Sequence, residues 1–477
     1  MNWLYKHLTF KNDVIVTLLN GLVIIGGVFI LNGLIARIYG LEILGEFLLV
    51  KRTFSAVVGI LLIGMNIGLP NYLSKNLEKS YGDNSLILFI IVTIPLTVIL
   101  MLSIFWFNIP GFYSDRFWIY IIFSLSISAQ FITYALYRGY MNMIGANIFQ
   151  LVGTAIIPII VFISVMDLYE GLFWIGLCVL IVMIFAFIIR NKGLNIYDIN
   201  FHQSKKLLKY GLERIPSIIA QFILLAGIPL VLAQTLNFKN VAYFNSSLSL
   251  IRLSLIIVNP IGMVLLPRIS NKIASGAKDD LPNILNIFFK SGIVFSVIGT
   301  AYFYINAPLI LRFWLGEVNE TGVAILRLTI LVLPFYTFSG LTRSPINAIS
   351  ERGYNSLIYG FSAIVLFTII FIGKTLGFNL LKTALVSFLI SHIVAGILGA
   401  YFVQRLFHNK LWDLTLVRDV VVGILIIYLI NHLISLFNIS VLTQFITTSA
   451  IYIIIGIIIF KFVKNGWLAE LKSKLYA

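Results

Sequence analysis

The sequence predicts an all-α polytopic membrane protein of about 14 transmembrane helices: two six-helix lobes related by a pseudo-two-fold axis along the membrane normal, plus two C-terminal helices. Three observations predict it: composition, the placement of the basic residues, and an internal repeat. Of 477 residues, 60% are hydrophobic and 11% charged. Mean hydropathy is +1.01. A soluble domain is typically ~45–50% apolar and ~25% charged. Apolar runs of about 20 residues, the length that crosses ~30 Å of hydrocarbon, recur from end to end.

The spans fall near 13–36, 42–67, 85–107, 117–141, 146–166, 168–190, 212–236, 241–267, 287–309, 321–342, 354–376, 380–404, 416–437 and 440–462. The first carries Asp13 and Asn20 and reaches Arg37 without a small-residue cleavage site, so it reads as a retained helix rather than a signal peptide. Pro95, Pro158, Pro229, Pro260 and Pro334 fall inside spans, where proline often marks a bend. The resulting organisation is an N-lobe at 1–190, a cytoplasmic inter-lobe loop at 191–211, a C-lobe at 212–405, extra helices at 416–462 and a cytoplasmic tail at 463–477. Trp3 to Lys11 and Trp467 to Leu475 mix apolar residues with lysines and suit the inner membrane surface.

The net charge is +16. Its distribution points to a membrane rather than to nucleic acid. With the N-terminus in the cytoplasm, six of the 34 Lys and Arg lie outside: Arg37, Arg116, Lys239, Arg312, Lys374 and Lys382. Four lie within spans (Lys51, Arg52, Arg252, Arg327), which leaves 24 at inner ends and loops. That is the positive-inside bias, and it places both termini in the cytoplasm.

The chain reads as a duplication. Shifted by 197 residues, Ala36 falls on Ala233, Phe47 on Phe244, Leu69-Pro70 on Leu266-Pro267 and Lys75 on Lys272. After the fourth and tenth spans, "RGYMNMIGAN" is echoed by "RSPINAISERGYN". Six spans per copy give both copies one orientation, hence an axis along the membrane normal; the last two spans lie outside the repeat.

The cations within spans carry the functional reading. Lys51 lies about 14 Å deep and Arg252 about 16 Å, counting 1.5 Å per residue from the outer ends of their spans. Arg327, about 9 Å deep, is close enough to the outer interface to snorkel. A midplane charge costs roughly 2.5–3.5 kcal/mol on insertion scales, so it calls for water, an ion pair or an anionic ligand. Glu46 is the carboxylate nearest in sequence, but five residues from Lys51 it lies off that face. Pairing between helices is one solution. A wet cationic cavity is the other, and polar stripes favour it: Arg52, Ser55, Gly59 and Asn66 on the second span, and Asn245, Ser249, Arg252 and Asn259 on the eighth. Under the repeat, Arg52 falls on Ser249 and Ser55 on Arg252. The candidate cavity residues are therefore Lys51, Arg52, Ser55, Asn245, Ser249, Arg252 and Arg327. Gln130, Tyr134, Ser217 and Gln221 are weaker candidates, since polar residues in spans more often make helix contacts.

Enzyme and cofactor signals are missing from the sequence. Gly373-Lys374-Thr375 lacks the first glycine of a phosphate loop, with Thr368 in its place. His392 and His432 lie in spans, where packing is the expected role, and the single Cys178 excludes an internal disulfide.

At this point "LLKYGLERIPSII" and "AYFNSSLSLIRLSLIIVNPIGMVLLPRIS", with "ARIYGLEILGEF" and "LPNYLSK" in the first half, resemble the polysaccharide-export (O-antigen) flippases of the multidrug/oligosaccharidyl-lipid/polysaccharide exporter superfamily. The resemblance covers most of the chain through diffuse motifs. It implies a two-lobed alternating-access transporter in the bacterial cytoplasmic (inner) membrane, with no cofactor. Its cargo would be a lipid-linked oligosaccharide on undecaprenyl pyrophosphate, bound by a cationic cavity matching Arg52 and Arg252, with Lys51 adjacent. Membrane lipids, a polysaccharide polymerase and chain-length machinery are the implied partners. One departure stands out: the seventh span reads "LLAGIPLV", with no acid, where many relatives carry one, which puts ion coupling through that helix in doubt. Two alternatives share the fold, a lipid-linked peptidoglycan precursor flippase and a cation-coupled drug exporter. The buried cations argue against the second.

The charge sorting makes a topology prediction. Reporter fusions after Ser80, Gln203, Gly276 and Asn409 are expected to read cytoplasm, and fusions near Asp115, Glu170 and Glu317 the outside. An external 191–211 segment would overturn the orientation.

Overall fold

The computed structural model describes residues 10–454, apart from 77–78, 166, 194–199, 214, 236, 255–280, 350–352, 408–413, 437–439 and 441. Among the described residues every regular element is helical. The chain forms two compact units, Met1–Asn245 and Ser246–Ala477.

The first unit opens with α1 (Phe10–Ile38), α2 (Leu41–Leu61) and α3 (Met65–Asn76). Two helices are then interrupted by five-residue π segments. The first is α4 (Lys79–Leu88), Phe89–Thr93, α5 (Ile94–Trp106). The second, following α6 (Phe117–Gly139), is α7 (Met143–Leu151), Val152–Ile156, α8 (Ile157–Ser164). Each π segment immediately precedes a helix with proline at its start, Pro95 or Pro158. Proline lacks an N–H and crowds the carbonyl one turn back, and the wider turn accommodates both defects. Helices α9 (Leu168–Arg190), α10 (Phe201–Leu212), α11 (Ile215–Ala233) and α12 (Phe238–Arg252) follow, the last crossing into the second unit. The second unit continues with α13 (Leu281–Ile305), α14 (Ala307–Leu315), α15 (Glu320–Ile330), α16 (Leu333–Ile349), α17 (Tyr354–Thr375), α18 (Leu380–Phe407), α19 (Leu414–Ser435) and α20 (Leu442–Ile454).

Among the described residues eight helices are long and apolar enough to cross a membrane, and two bent pairs raise the number to 10. The shorter apolar stretches Ile218–Ala233, Val421–Ile434 and Leu442–Ile454 occupy the seventh, thirteenth and fourteenth predicted places. The eighth begins as α12 and runs into residues outside the description, as do Asn259, Leu266-Pro267, Lys272 and the tail 463–477.

Two predicted spans are not straight. The second breaks at Leu62–Gly64, where α2 and α3 meet at 52°. Ile63 and Gly64 take positive φ of 43° and 66°. A Cβ on Gly64 would lie 2.6 Å from Gly211 Cα, and one on Gly211 would overlap the Ile63 carbonyl. The kink therefore requires glycine on both sides of the contact. The ninth span turns by 73° between α13 and α14. Asn306 is half the reason: it precedes Ala307-Pro308, a helix-start pattern that begins a new axis. What the sequence presents as the longest outer loop, Leu311 to Glu320, is in its first part the amphipathic end of α14.

Packing within the first unit centres on α6. Thr133 donates to the Met183 carbonyl at 3.0 Å, Tyr137 to the Ala186 carbonyl at 3.2 Å, and α9 lies along that face. Near the 191–211 segment, buried Asn84 holds the start of α10 through three hydrogen bonds and braces itself on its own helix with a fourth. Its amide donates to Ser80 O (2.7 Å) and Gln203 Oε1 (3.2 Å), and its oxygen accepts from Asn200 N (3.1 Å) and Ser204 Oγ (2.7 Å). In the second unit α13 packs against α16 and α19, and α18 against α16 and α17.

Gly211→Ala forces a methyl into the Ile63 carbonyl. It is expected to lose about 1–3 kcal/mol, the usual cost of overpacking a close contact. Thermal unfolding of the purified protein in detergent reads the loss; an unchanged midpoint would show that the two backbones are free to part.

Candidate functional site

The site is built from one stripe of α2. Gly45, Arg52 and Gly59 recur every seven residues, close to two helical turns, and so share a face. Glycine stands where a Cβ on residue 45 would overlap the Phe238 carbonyl, and where one on residue 59 would meet Ile218 Cγ2 at 2.9 Å. A backbone thus approaches closely on one side of Arg52, at Gly45, and a side chain packs tightly on the other, at Gly59; Arg52 itself is 9% exposed. Its Nε donates to Asn245 Oδ1 at 3.3 Å and its Nη2 to the Asn245 carbonyl at 3.5 Å. Asn245 is fully buried, and its own amide donates to the Val241 carbonyl at 3.1 Å. The pairs 45 with 238 and 52 with 245 keep one offset, so α2 and α12 run parallel and in register.

The repeat offset appears in the helix starts as well. Leu41 opens α2 and Phe238 opens α12, and 238 − 41 = 197.

Lys51 Nζ lies 5.3 Å from the Phe47 ring centroid, a cation–π placement that shields an ammonium inside a helical layer. Ser55 is half-buried on α2; Ser249 and Arg252 are half-buried on α12. Arg252 Nε is buried and has no hydrogen-bond partner among the described residues. Arg327 has a local partner: Nε donates to the Tyr304 carbonyl at 3.2 Å and the guanidinium lies 5.2 Å from the Tyr304 ring. Arg52 and Asn245 are thus in direct contact, and Arg327 engages the end of α13.

Glu46 accepts from Tyr169 Oη at 3.0 Å, and among the described residues no cation lies within 4 Å of it. The pairing of Lys51 with Glu46 is absent. Gln130 donates to Gln150 O (3.0 Å) and Thr154 Oγ1 (2.8 Å), bracing α6 against the second π segment, so it serves helix packing. Tyr134 lies under Arg138, 5.6 Å from ring centroid to guanidinium. The Ser217 side chain lies outside the description. His392 is buried as expected, whereas His432 is exposed and lines a crevice. Among the described residues no group of three or more His, Cys, Asp or Glu converges to hold a metal.

Charge-assisted hydrogen bonds are ordinarily ~2.7–2.9 Å. Both contacts from Arg52 to Asn245 are longer and end on neutral oxygens.

No protein-family model matches the sequence, and no characterised protein matches it at the sequence level. Solved structures do match the fold. The lipid II flippase MurJ, in an inward closed conformation, aligns with TM-score 0.68 and 14% identity over 97% of this chain and 99% of that one. An inward-facing multidrug resistance MATE family transporter of the MOP superfamily aligns with TM-score 0.66 and 16% identity over 79% of this chain and 93% of that one. A MATE in complex with MaD3S gives 0.58 and 16% over 85% and 97%. The chain therefore has the fold shared by these transporters.

Asn245→Ala strips Arg52 of its seen partner and is expected to cost about 1–3 kcal/mol. Asn245→Asp supplies a charged partner, and the protein is expected to remain as stable as the original. Thermal unfolding of both variants checks this; an Ala variant as stable as the original would show that the contact contributes nothing.

Proposed function

We propose that the protein is a flippase that translocates undecaprenyl-pyrophosphate-linked oligosaccharide repeat units across the bacterial cytoplasmic membrane by alternating access, with both termini in the cytoplasm. In this reading, residues 1–190 and 212–405 are the two moving repeats, 191–211 connects them, and 416–462 and the 463–477 tail are additions. Lys51, Arg52 and Arg252 attract the pyrophosphate, while Ser55, Asn245 and Ser249 offer hydrogen bonds to it or to the first sugar.

The observation that carries the reading is the buried cation of α2 resting on a neutral amide. On α12, Asn245, Ser249 and Arg252 follow at i, i+4 and i+7, so the helix that touches Arg52 continues the polar stripe toward a second arginine. Arginine presents a planar fork suited to phosphate oxygens, and focused positive potential concentrates anions. A cargo of opposite charge is disfavoured: α11 carries no acid between Leu224 and Val231, and Glu46 is engaged by Tyr169. A peptidoglycan precursor is the second reading, favoured by the coverage of 97% and 99% with a structure named as a lipid II flippase. Both cargoes present a pyrophosphate to the same cations. A polysaccharide polymerase and chain-length machinery are the partners the first reading requires.

The experiment measures surface glycan and membrane abundance together. Arg252→Ala is expected to abolish export at normal abundance, Arg252→Lys to retain part and Arg252→Glu none, with the same order at Arg52. Arg327→Ala is expected to be tolerated, since the Tyr304 carbonyl and ring already hold that side chain at the end of α13. Lipid pyrophosphate binding to the purified protein should weaken as salt rises. Normal glycan in both Ala variants, glycan loss that merely tracks abundance, or salt-indifferent binding would reject the assignment.

A further inference from the structure

The second unit holds a crevice far along the chain from the stripe just described. Its floor is the bend at Asn306, where α13 ends and α14 turns by 73°. Two further walls are the end of α19 and the start of α20. Ring stacking fastens these helices together. Phe313 of α14 stacks on Phe445 of α20 at 4.4 Å, and Tyr302 of α13 stacks on Tyr452 at 4.4 Å. Gly423 of α19 sits where a Cβ would meet Ile298 Cδ1 at 2.8 Å, so α19 is drawn against α13. The space enclosed is about 760 Å³.

Its polar lining is Asn306, Arg312, Asn431, His432 and Gln444, and its apolar lining includes Pro308, Leu309 and Val318. No acidic residue lines it. Arg312 is exposed to the crevice and, among the described residues, makes no hydrogen bond, ion pair or ring contact. Asn306 and Asn431 each spend one amide proton on a carbonyl of their own helix, Tyr302 at 2.9 Å and Ile427 at 2.9 Å. Each amide carries a second. The crevice is thus a cluster of donors around one cation. Beside it, Leu425, Tyr428 and Leu429 are 54%, 59% and 56% exposed along one flank, as is Ile446 at 56% on α20. Exposed apolar side chains on membrane-spanning helices face lipid.

We propose that this crevice binds the phosphate head group of an anionic phospholipid. The volume argues for a head group over a lone ion, since sites for organic ligands run ~300–1,000 Å³. The position agrees: the lining gathers at the ends of α13 and α19 and the start of α20, where apolar helices terminate, and α14 turns 73° from α13 with its apolar residues Ile310, Leu311, Trp314 and Leu315 buried. The phosphate pairs with Arg312 and takes amide donors, while the acyl chains continue along the exposed flank of α19. By the charge sorting this is the outer leaflet. Such a lipid would tie α19 and α20, which lie outside the repeat, to the bend of α13 and α14.

The test uses the full chain in detergent, with phosphatidylglycerol, phosphatidylcholine and inorganic phosphate as separate probes. Phosphatidylglycerol is expected to raise the unfolding temperature and to remain bound in native mass spectrometry; the other two should do neither. Arg312→Gln is expected to weaken phosphatidylglycerol binding about tenfold, the loss of one charge-assisted bond. Arg312→Lys should keep part of the binding, and Arg52→Ala all of it. Gln444→Leu provides a second reading if the Gln variant fails to insert. Equal binding by Arg312→Gln and Gln444→Leu overturns the proposal. Stabilisation by inorganic phosphate alone assigns a free-anion site instead. Displacement by equimolar undecaprenyl pyrophosphate assigns the crevice to cargo, and loss of binding in Arg52→Ala moves the lipid to the central stripe.

Discussion

The central stripe of the first unit answers to one constraint: Arg52 is charged, buried in the protein, and by counting along its span well inside the hydrocarbon. The insertion penalty of roughly 2.5–3.5 kcal/mol is tolerable only if the guanidinium finds oxygen atoms at its own depth. A helix cannot supply them to itself, because its carbonyls are engaged in the ladder. A second helix must come close, with an acceptor at the right height. Gly45, seven residues before Arg52, lets that happen against Phe238 at the start of α12, while Gly59, seven residues after it, gives room to the Ile218 side chain of α11. Asn245 is the acceptor that α12 presents. A parallel, in-register pair of helices is what a tandem duplication with an even number of spans per copy delivers. The Arg52–Asn245 and Gly45–Phe238 contacts share one offset, 193 residues, four short of the 197 that separates the starts of α2 and α12, so Arg52 meets the residue one turn before its counterpart Ser249.

The same demand for satisfied backbone governs the interruptions. At membrane depth a freed N–H or C=O costs several kcal/mol unless something takes it. Each break here is repaired on the spot. At the α2–α3 kink, Gly64 N donates to Gly59 O at 2.8 Å and Met65 N to Leu62 O at 2.9 Å. The π segments before Pro95 and Pro158 lengthen a turn and leave no ladder broken on both sides. At the α13–α14 bend, Asn306 N donates to Tyr302 O at 3.0 Å while its side chain reaches the same carbonyl. Irregularity is confined to places where proline or glycine makes it cheap.

How much of this was legible in the sequence follows from which signals are local. The all-helical class and the order of the apolar helices depend on composition along the chain and need no knowledge of what packs against what. The kink at Gly64 was not legible, because its cause is Gly211, a residue 147 positions away. The bend at Asn306 carried a readable signal, an asparagine followed by Ala-Pro, but the apolar run continued through it and hydropathy prevailed over capping. Asn245 was legible as part of a stripe; its specific partner was not, since the spacing on α12 says which face is polar and nothing about what faces it. Tyr169 holding Glu46 joins residues 123 apart. The polar lining at Arg312 and His432 was invisible for the same reason, assembled from three helices that the sequence shows only as separate runs.

The choice of asparagine opposite Arg52 has a thermodynamic consequence for the function proposed above. A cationic site for an anionic cargo would pass through an empty state on every cycle, and that state must be stable enough to persist without being so stable that cargo cannot compete. A carboxylate partner would form a buried ion pair, and breaking such a pair typically costs ~3–5 kcal/mol, which an incoming phosphate would have to repay before binding showed any net gain. An apolar partner would leave the guanidinium's donors unmet, at ~1–3 kcal/mol or more for a charged group. A neutral amide at 3.3–3.5 Å stands between these limits: it keeps the charge hydrogen-bonded while the contact is long and weak. The resting contact then subtracts little from the affinity for an oxyanion. On the proposed function, the same contact would link α2 to α12 in the empty state and be given up when an anion takes its donors.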